Sequence, residues 1–175
     1  DRMTISNYFI KKKIKKLIDQ TAYRKPVFKA FDQIQSILVL YEMADFESLL
    51  PHIEHLKRSG KKVESFGYVR KEVLPEVDDS YHFIVEKTDL SVKGIPTDAA
   101  LQKVLACKPD VIMDLTHAGC YAMQYLLVNH PCNFKIGIKK AERDLHDFSL
   151  LVTDRDEFNY LFEQILFYLQ NIRTK

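Results

Sequence analysis

"KPDVIMDLTHAGCYAMQYLLVNHPCNFKIGIKK", Lys108 to Lys140, holds a short apolar run, a polar turn, a longer apolar-periodic segment and a second short apolar run. "DVIMDLT" reads as a strand, "GCYAMQYLLVNH" as a helix and "FKIGIKK" as the next strand. Two nearly continuous apolar strands joined by a helix make a βαβ unit, the building block of a parallel sheet covered on both faces.

Working outward, the same alternation continues. "SILVLYE" (Ser36 to Glu42) reads as a buried strand, followed by the helix "DFESLLPHIEHLKRSG" with Asp45 as N-cap and Gly60 closing its C-terminal end. Pro51 is expected to kink that helix or shorten its first turn, because it lacks an N–H and crowds the preceding turn. "KVESFGYVR" and "YHFIVEK" read as the second and third strands, and "TDAALQKVLAC" as a helix capped by Thr97 or Asp98. "FSLLVT" is a last strand, and Thr153 starts the final helix, where Thr153 and Asp156 resemble a capping box. The pattern predicts an α/β, Rossmann-like three-layer sandwich with a mostly parallel sheet and an N-terminal amphipathic helix. "KEVLPEVDDS" is short for a parallel crossover helix, so the third strand is expected either antiparallel or at an edge.

At 175 residues, 46% hydrophobic and 29% charged, the chain reads as one globular unit, without repeats or low-complexity tracts. Residues 1–25 form a basic helix and its connection, and residues 26–175 a single domain. No apolar run reaches the roughly 20 residues that span a bilayer, and no signal-peptide core is present at the start. Cys107, Cys120 and Cys132 fit neither a zinc site nor a disulfide framework. A cytoplasmic protein with reduced thiols, no metal and no cofactor is expected.

The net charge of +2 hides an asymmetry, because residues 1–25 carry eight Lys or Arg against two Asp. In "NYFIKKKIKKLIDQ" one face holds Ile10, Ile14, Leu17 and Ile18, while Lys11, Lys12, Lys13, Lys15 and Lys16 surround the rest. Such a helix either lies peripherally on an anionic inner-membrane surface or packs on the domain or on a second copy through residues 4–20. Nucleic acid is not expected, since the lysines lack interleaved Arg and stacking aromatics.

Ligands of open α/β sheets sit beyond the carboxyl ends of the strands, where strand order reverses. The first and fourth strands should be neighbours there, which places Glu42, Asp45, Asp114, Thr116, His117 and Gly119 around one crevice. Lys87, Asp89, Lys139, Lys140 and Arg143 lie on adjacent loops. Asp45 serves either as a general base or as a helix cap, and Asp114 either holds a ligand or bonds the N–H groups of its own turn. His117 with Cys120 has the spacing of a base and a nucleophile, but no third orienting group is identified and a buried structural thiol is the favoured reading. His52 and His55 share a helix face without a third ligand and read as solvated. No glycine-rich phosphate loop follows the first strand, and no nucleophile elbow is present.

Taken together, "ILVLYEMADFESLLPHIEHLK" and the Lys108 to Lys140 stretch resemble the N-terminal domain of heptosyltransferase-like glycosyltransferases over roughly residues 36–140. Asp45 matches the family's Asp after the first strand, Leu50 and Pro51 its Leu-Pro, Met113, Asp114 and Leu115 a second motif, and Ile136 and Gly137 a third. The resemblance implies that Asp45 is the catalytic base. Ala44 stands where the family has glycine, and the nucleotide-sugar domain of such enzymes has no room in 175 residues. The pattern also resembles small uncharacterised bacterial proteins. The expected function is therefore a non-catalytic or degenerate Rossmann-like binding domain for a small molecule; the alternative is a transferase-like enzyme or subunit using Asp45 on a hydroxylated substrate.

Overall fold

The computed structural model describes residues 2–21, 25–140, 144–152 and 157–172, without the side chains of residues 2–4 and 6. In chain order the elements are α1 (Arg2–Gln20), β1 (Ser36–Glu42), α2 (Phe46–Arg58), β2 (Lys62–Val69), β3 (Tyr81–Val85), α3 (Glu86–Asp89), α4 (Asp98–Ala106), β4 (Val111–Asp114), α5 (Tyr121–Asn129), β5 (Lys135–Ile138), β6 (Phe148–Leu150) and α6 (Phe158–Asn171). The six strands form one sheet in the order β3-β2-β1-β4-β5-β6. Every pairing between these strands is parallel. Strand order reverses between β1 and β4, as the sequence predicts.

Side chains alternate across a strand, and that alternation sorts the core into two halves. Ile37, Val39 and Tyr41 of β1, Val63 and Val69 of β2, and Met113 of β4 face α2 and α6, where Leu49, Ile53, Phe162 and Ile165 are buried. Leu38, Leu40, Phe66, Tyr68, Ile84 and Ile112 face the other way, onto α1, α4 and α5. Glu42, Asp114, Glu64, His82 and Gly137 share this second parity, so the clusters built on Glu42, Asp114 and Glu64 described below lie on the α1/α4/α5 side.

The α1 stripe is part of this core. Ile10 and Ile14 are buried, and Leu17 and Ile18 pack beside them with residues of α5. Thr97 caps α4 by accepting the Ala100 N–H at 3.2 Å. At the end of α2, Gly60 takes φ +90°, the left-handed conformation that costs glycine least. The Lys61 N–H then reaches Leu56 O at 3.2 Å and the Gly60 N–H reaches Lys57 O at 3.0 Å, which completes a Schellman cap.

The structure bears on two local expectations. The α2 helix runs through Pro51 to Arg58, so the proline neither ends nor shortens it. The third strand takes the edge position, one of the two expected alternatives, and is parallel, with Ser65 opposite Tyr81 and Val69 opposite Val85. A parallel return here needs no helix, because β3 is short. Its length is only about 17 Å, whereas extended residues 70–80 span up to about 36 Å. The segment crosses as irregular chain and packs Val77 against the α2-side core. The Thr153–Asp156 capping box lies outside the described residues.

Candidate functional site

Strands β1, β2 and β4 end together on the α1/α4/α5 side, with Glu42 in register with Tyr68 and Leu40 with Asp114. A crevice of about 290 Å³ opens between the end of β2, the α3 region and the turn into α5; Glu42, Asp45, Asp114, Thr116 and His117 lie outside its lining. Tyr68, Arg70 and Glu86 wall it from the sheet side, Gly119 to Tyr121 from the start of α5, and Asn7 and Ile10 of α1 close it from above. The Tyr68 hydroxyl donates to Glu86 Oε1 at 3.0 Å, and the Arg70 guanidinium lies 4.8 Å over the Tyr68 ring. Burial, with the Glu86 carboxylate beside it, holds the Tyr68 phenol well above its ordinary range, so it remains a donor.

Glu42 organises a polar network beside the crevice, behind Arg70. It is 5% exposed, and its two oxygens hold different elements: Oε1 pairs with Arg70 Nη1 at 2.7 Å, and Oε2 accepts the His117 backbone N–H at 2.7 Å. The His117 ring turns to Asp45, with Nε2 3.0 Å from Oδ2. Asp45 therefore occupies the N-cap position of α2 without capping it through its side chain. The reason is local: a short 3-10 turn over Met43–Asp45 leaves Asp45 at φ −95°, ψ 1°. A capping side chain needs the extended backbone that Thr97 has.

The Asp45 hydrogen bond raises the His117 pKa; burial opposes it and the Glu42 charge adds to it. Cys120 departs from the nucleophile reading. It is 2% exposed, and burial with the nearby Glu42 charge pushes its thiol up to about 12, so the thiolate is scarce at neutral pH.

Asp114 and Thr116 are together but buried, at 1% and 0% exposure. Asp114 Oδ1 accepts the Thr116 N–H at 3.0 Å and its hydroxyl at 2.6 Å. Oδ2 meets His146 Nε2 at 2.7 Å and Lys140 Nζ at 3.4 Å, and Lys140 also donates to Thr116 O. Burial alone would raise the Asp114 pKa, but Lys140 and the His146 and Thr116 hydrogen bonds together hold it far below the usual carboxylate range. This network bonds the turn after β4, as the structural reading of Asp114 has it. His146 Nδ1 completes it against Ser149 Oγ at 3.1 Å.

Of the other predicted residues, Gly119 lines the crevice, whereas Lys139 pairs with Asp144 at 3.8 Å, out beside β6. Lys87 is exposed, the Asp89 carboxylate accepts the Val85 N–H at 2.7 Å, and Arg143 lies outside the described residues. His52 is not on a solvated face: it stacks on Phe162 at 4.4 Å and bonds Asn159 at 2.9 Å. Lys11, Lys12, Lys13, Lys15 and Lys16 are exposed around α1, with Lys11 over the Tyr121 ring and Lys13 over the Tyr125 ring. Among the described side chains of α1, the large apolar ones left exposed are Ile5, Tyr8 and Phe9, not the Ile10/Ile14 stripe. No described helix is long and apolar enough to cross a membrane.

Sequence reasoning missed Arg70, Tyr68 and His146. The first two had a signal, since both stand at the carboxyl end of a buried strand next to β1. His146 had none, lying in an irregular link between β5 and β6.

The model of a family described as "Family of unknown function (DUF6913)" matches residues 7–172. It carries no link to the heptosyltransferase-like glycosyltransferases that the motifs around Asp45 and Asp114 resemble. No curated protein and no solved structure matches the chain.

Proposed function

The chain belongs to the family of unknown function DUF6913, and from that premise we propose that it is a small-molecule binding domain whose ligand carries an anionic group and enters the crevice beside the end of β2. One observation carries the reading: Arg70 stands in that crevice just past the end of β2, held over Tyr68 and anchored by Glu42. An arginine fork offers five N–H donors, and the contact with Glu42 leaves donors for a ligand. The start of α5 at Gly119 to Tyr121 adds a positive helix end on the opposite wall. Tyr68 supplies a hydroxyl and an aromatic face.

The test is native mass spectrometry of the freshly purified full chain, followed by calorimetric titration with whatever molecule is retained. Arg70→Ala is expected to weaken that binding by about 10- to 100-fold, the range of a charge-assisted hydrogen bond. Unchanged affinity in the variant, or no retained molecule together with no binding of inorganic phosphate or sugar phosphates, removes the reading.

A second reading is supported by the 3.0 Å contact between Asp45 and His117. Freed from capping, Asp45 is the general base, or orients His117 as one, for a substrate hydroxyl. The protonated imidazole is favoured by its partners, so the stability it adds is full below the unfolded value near 6.5 and lost as pH rises through the raised folded value. An NMR titration of His117 is expected to show a midpoint above about 6.5 that drops in Asp45→Asn. Turnover of a hydroxylated ligand should fall at least about 100-fold in the same variant. A midpoint indifferent to Asp45, or undiminished turnover, overturns this reading.

A further inference from the structure

A second polar cluster lies away from the crevice, toward the amino end of β2. Glu64 is the third residue of β2, His82 the second of β3, and Cys107 follows the last turn of α4. One side-chain ligand atom from each lies within 4.8 Å of the other two. We propose that these residues bind a divalent cation of the zinc class, with three protein ligands and an open fourth position.

Fold physics brings the three together. Phe66 and His82 are register partners, and Glu64, two residues before Phe66, shares its face of the sheet. The His82 ring stacks on Phe66 at 4.6 Å and 20° between planes, which fixes where its nitrogens point. Its Nε2 is buried and has no hydrogen-bond partner, an orphaned polar atom of the kind a metal satisfies. That nitrogen lies 3.8 Å from Glu64 Oε2, and the Cys107 sulfur lies 2.6 Å from the same oxygen. Lys62 approaches the other oxygen, Oε1, at 3.6 Å, leaving Oε2 to the cluster.

The donor set selects the ion. One thiolate, one imidazole and one carboxylate suit zinc or cobalt rather than magnesium or calcium, which take oxygen ligands. Tetrahedral zinc with bonds of about 2.0–2.3 Å sets its ligand atoms about 3.3–3.6 Å apart. The 3.8 Å His–Glu separation is close to that spacing, and the Cys–Glu contact needs to open by about 1 Å. A cleft of about 190 Å³, lined by Ser36, Lys62, Glu64, Cys107, Lys108 and Pro109, adjoins the cluster. Water from that side fills the fourth position, as in zinc centres that keep one exchangeable ligand.

Burial and the Glu64 charge push the Cys107 thiol up to about 12, so the free protein carries it protonated. Binding replaces the S–H bond with a sulfur–metal bond and delivers that proton to solvent. Each bound ion should release about one proton from the protein.

The experiment is titration of the reduced, full-length chain with Co²⁺ and Zn²⁺ alone. Wild type is expected to take up one Co²⁺, to show a thiolate-to-cobalt charge-transfer band that Zn²⁺ displaces, and to release about one proton by calorimetry in two buffers. Cys107→Ser should abolish the band while Cys120→Ser preserves it, and His82→Ala should weaken affinity about 100-fold or more. Circular dichroism of each variant separates loss of ligand from loss of fold. The absence of saturable uptake by wild type, or a charge-transfer band persisting in folded Cys107→Ser, overturns the proposal.

Discussion

Asp114→Ala is expected to lower the unfolding free energy by about 3–5 kcal/mol, the cost of removing one partner from a buried ion pair. Asp114 is 1% exposed and the Lys140 side chain 4%, so the ammonium left behind has no water to turn to. Thr116 loses the acceptor of both its N–H and its hydroxyl, and His146 Nε2 loses its acceptor as well. Urea unfolding should show a lower midpoint with an unchanged slope, since the surface exposed on unfolding stays the same. A loss below about 1 kcal/mol would mean that the network is not holding the turn. The companion Asp114→Ala/Lys140→Met should recover much of the loss, because a buried pair replaced by apolar groups is often neutral.

The pH dependence follows from the direction of the shift. The folded pKa of Asp114 is depressed, so its contribution is complete above the unfolded value of about 3.9. It is lost as pH falls below that toward the lowered folded value. The gap between wild type and Asp114→Ala should therefore be constant at neutral pH and narrow in acid.

The sheet was legible in the sequence because buried parallel strands write themselves as unbroken apolar runs: Ser36–Glu42 is bounded as its composition predicts. The direction of the third strand was not, because nothing in residues 70–80 announces a crossover without a helix. Asp45 shows the limit for the site. Its place before α2 is a local property, whereas its partner, His117, arrives from the loop after β4, and only the fold brings the two within 3.0 Å. Glu64, His82 and Cys107 likewise come from three elements with no informative spacing. The motif matches at Met113 to Leu115 and Ile136–Gly137 have a structural explanation: Met113, Leu115 and Ile136 fill the α2-side core, and Gly137 makes room for His146. Packing demands of a parallel sheet reproduce such motifs without any shared chemistry.

Gly137→Ala tests that last point and should cost about 3 kcal/mol or more. Gly137 pairs with Asp114 in the β4–β5 ladder and with Ser149 in β5–β6. A Cβ there would lie 2.4 Å from Asp114 O and 2.7 Å from His146 Nε2. The first neighbour is backbone held in the sheet, so it cannot swing aside. The second is a fully buried ring, and displacing it breaks the hydrogen bond to Asp114. Overpacking costs about 1–3 kcal/mol, and a buried hydrogen-bonding group left unpaired adds about 1–3 kcal/mol. Adding His146→Ala to Gly137→Ala relieves only the second clash, so the double variant should fall short of the sum of the two single losses yet stay below wild type. A single variant within about 0.5 kcal/mol of wild type would show that strand and ring give way freely. The loss should also reach the crevice, because Asp114 bonds the turn that carries His117 and Gly119. Near-wild-type ligand affinity in folded Gly137→Ala would separate the network from the site it adjoins.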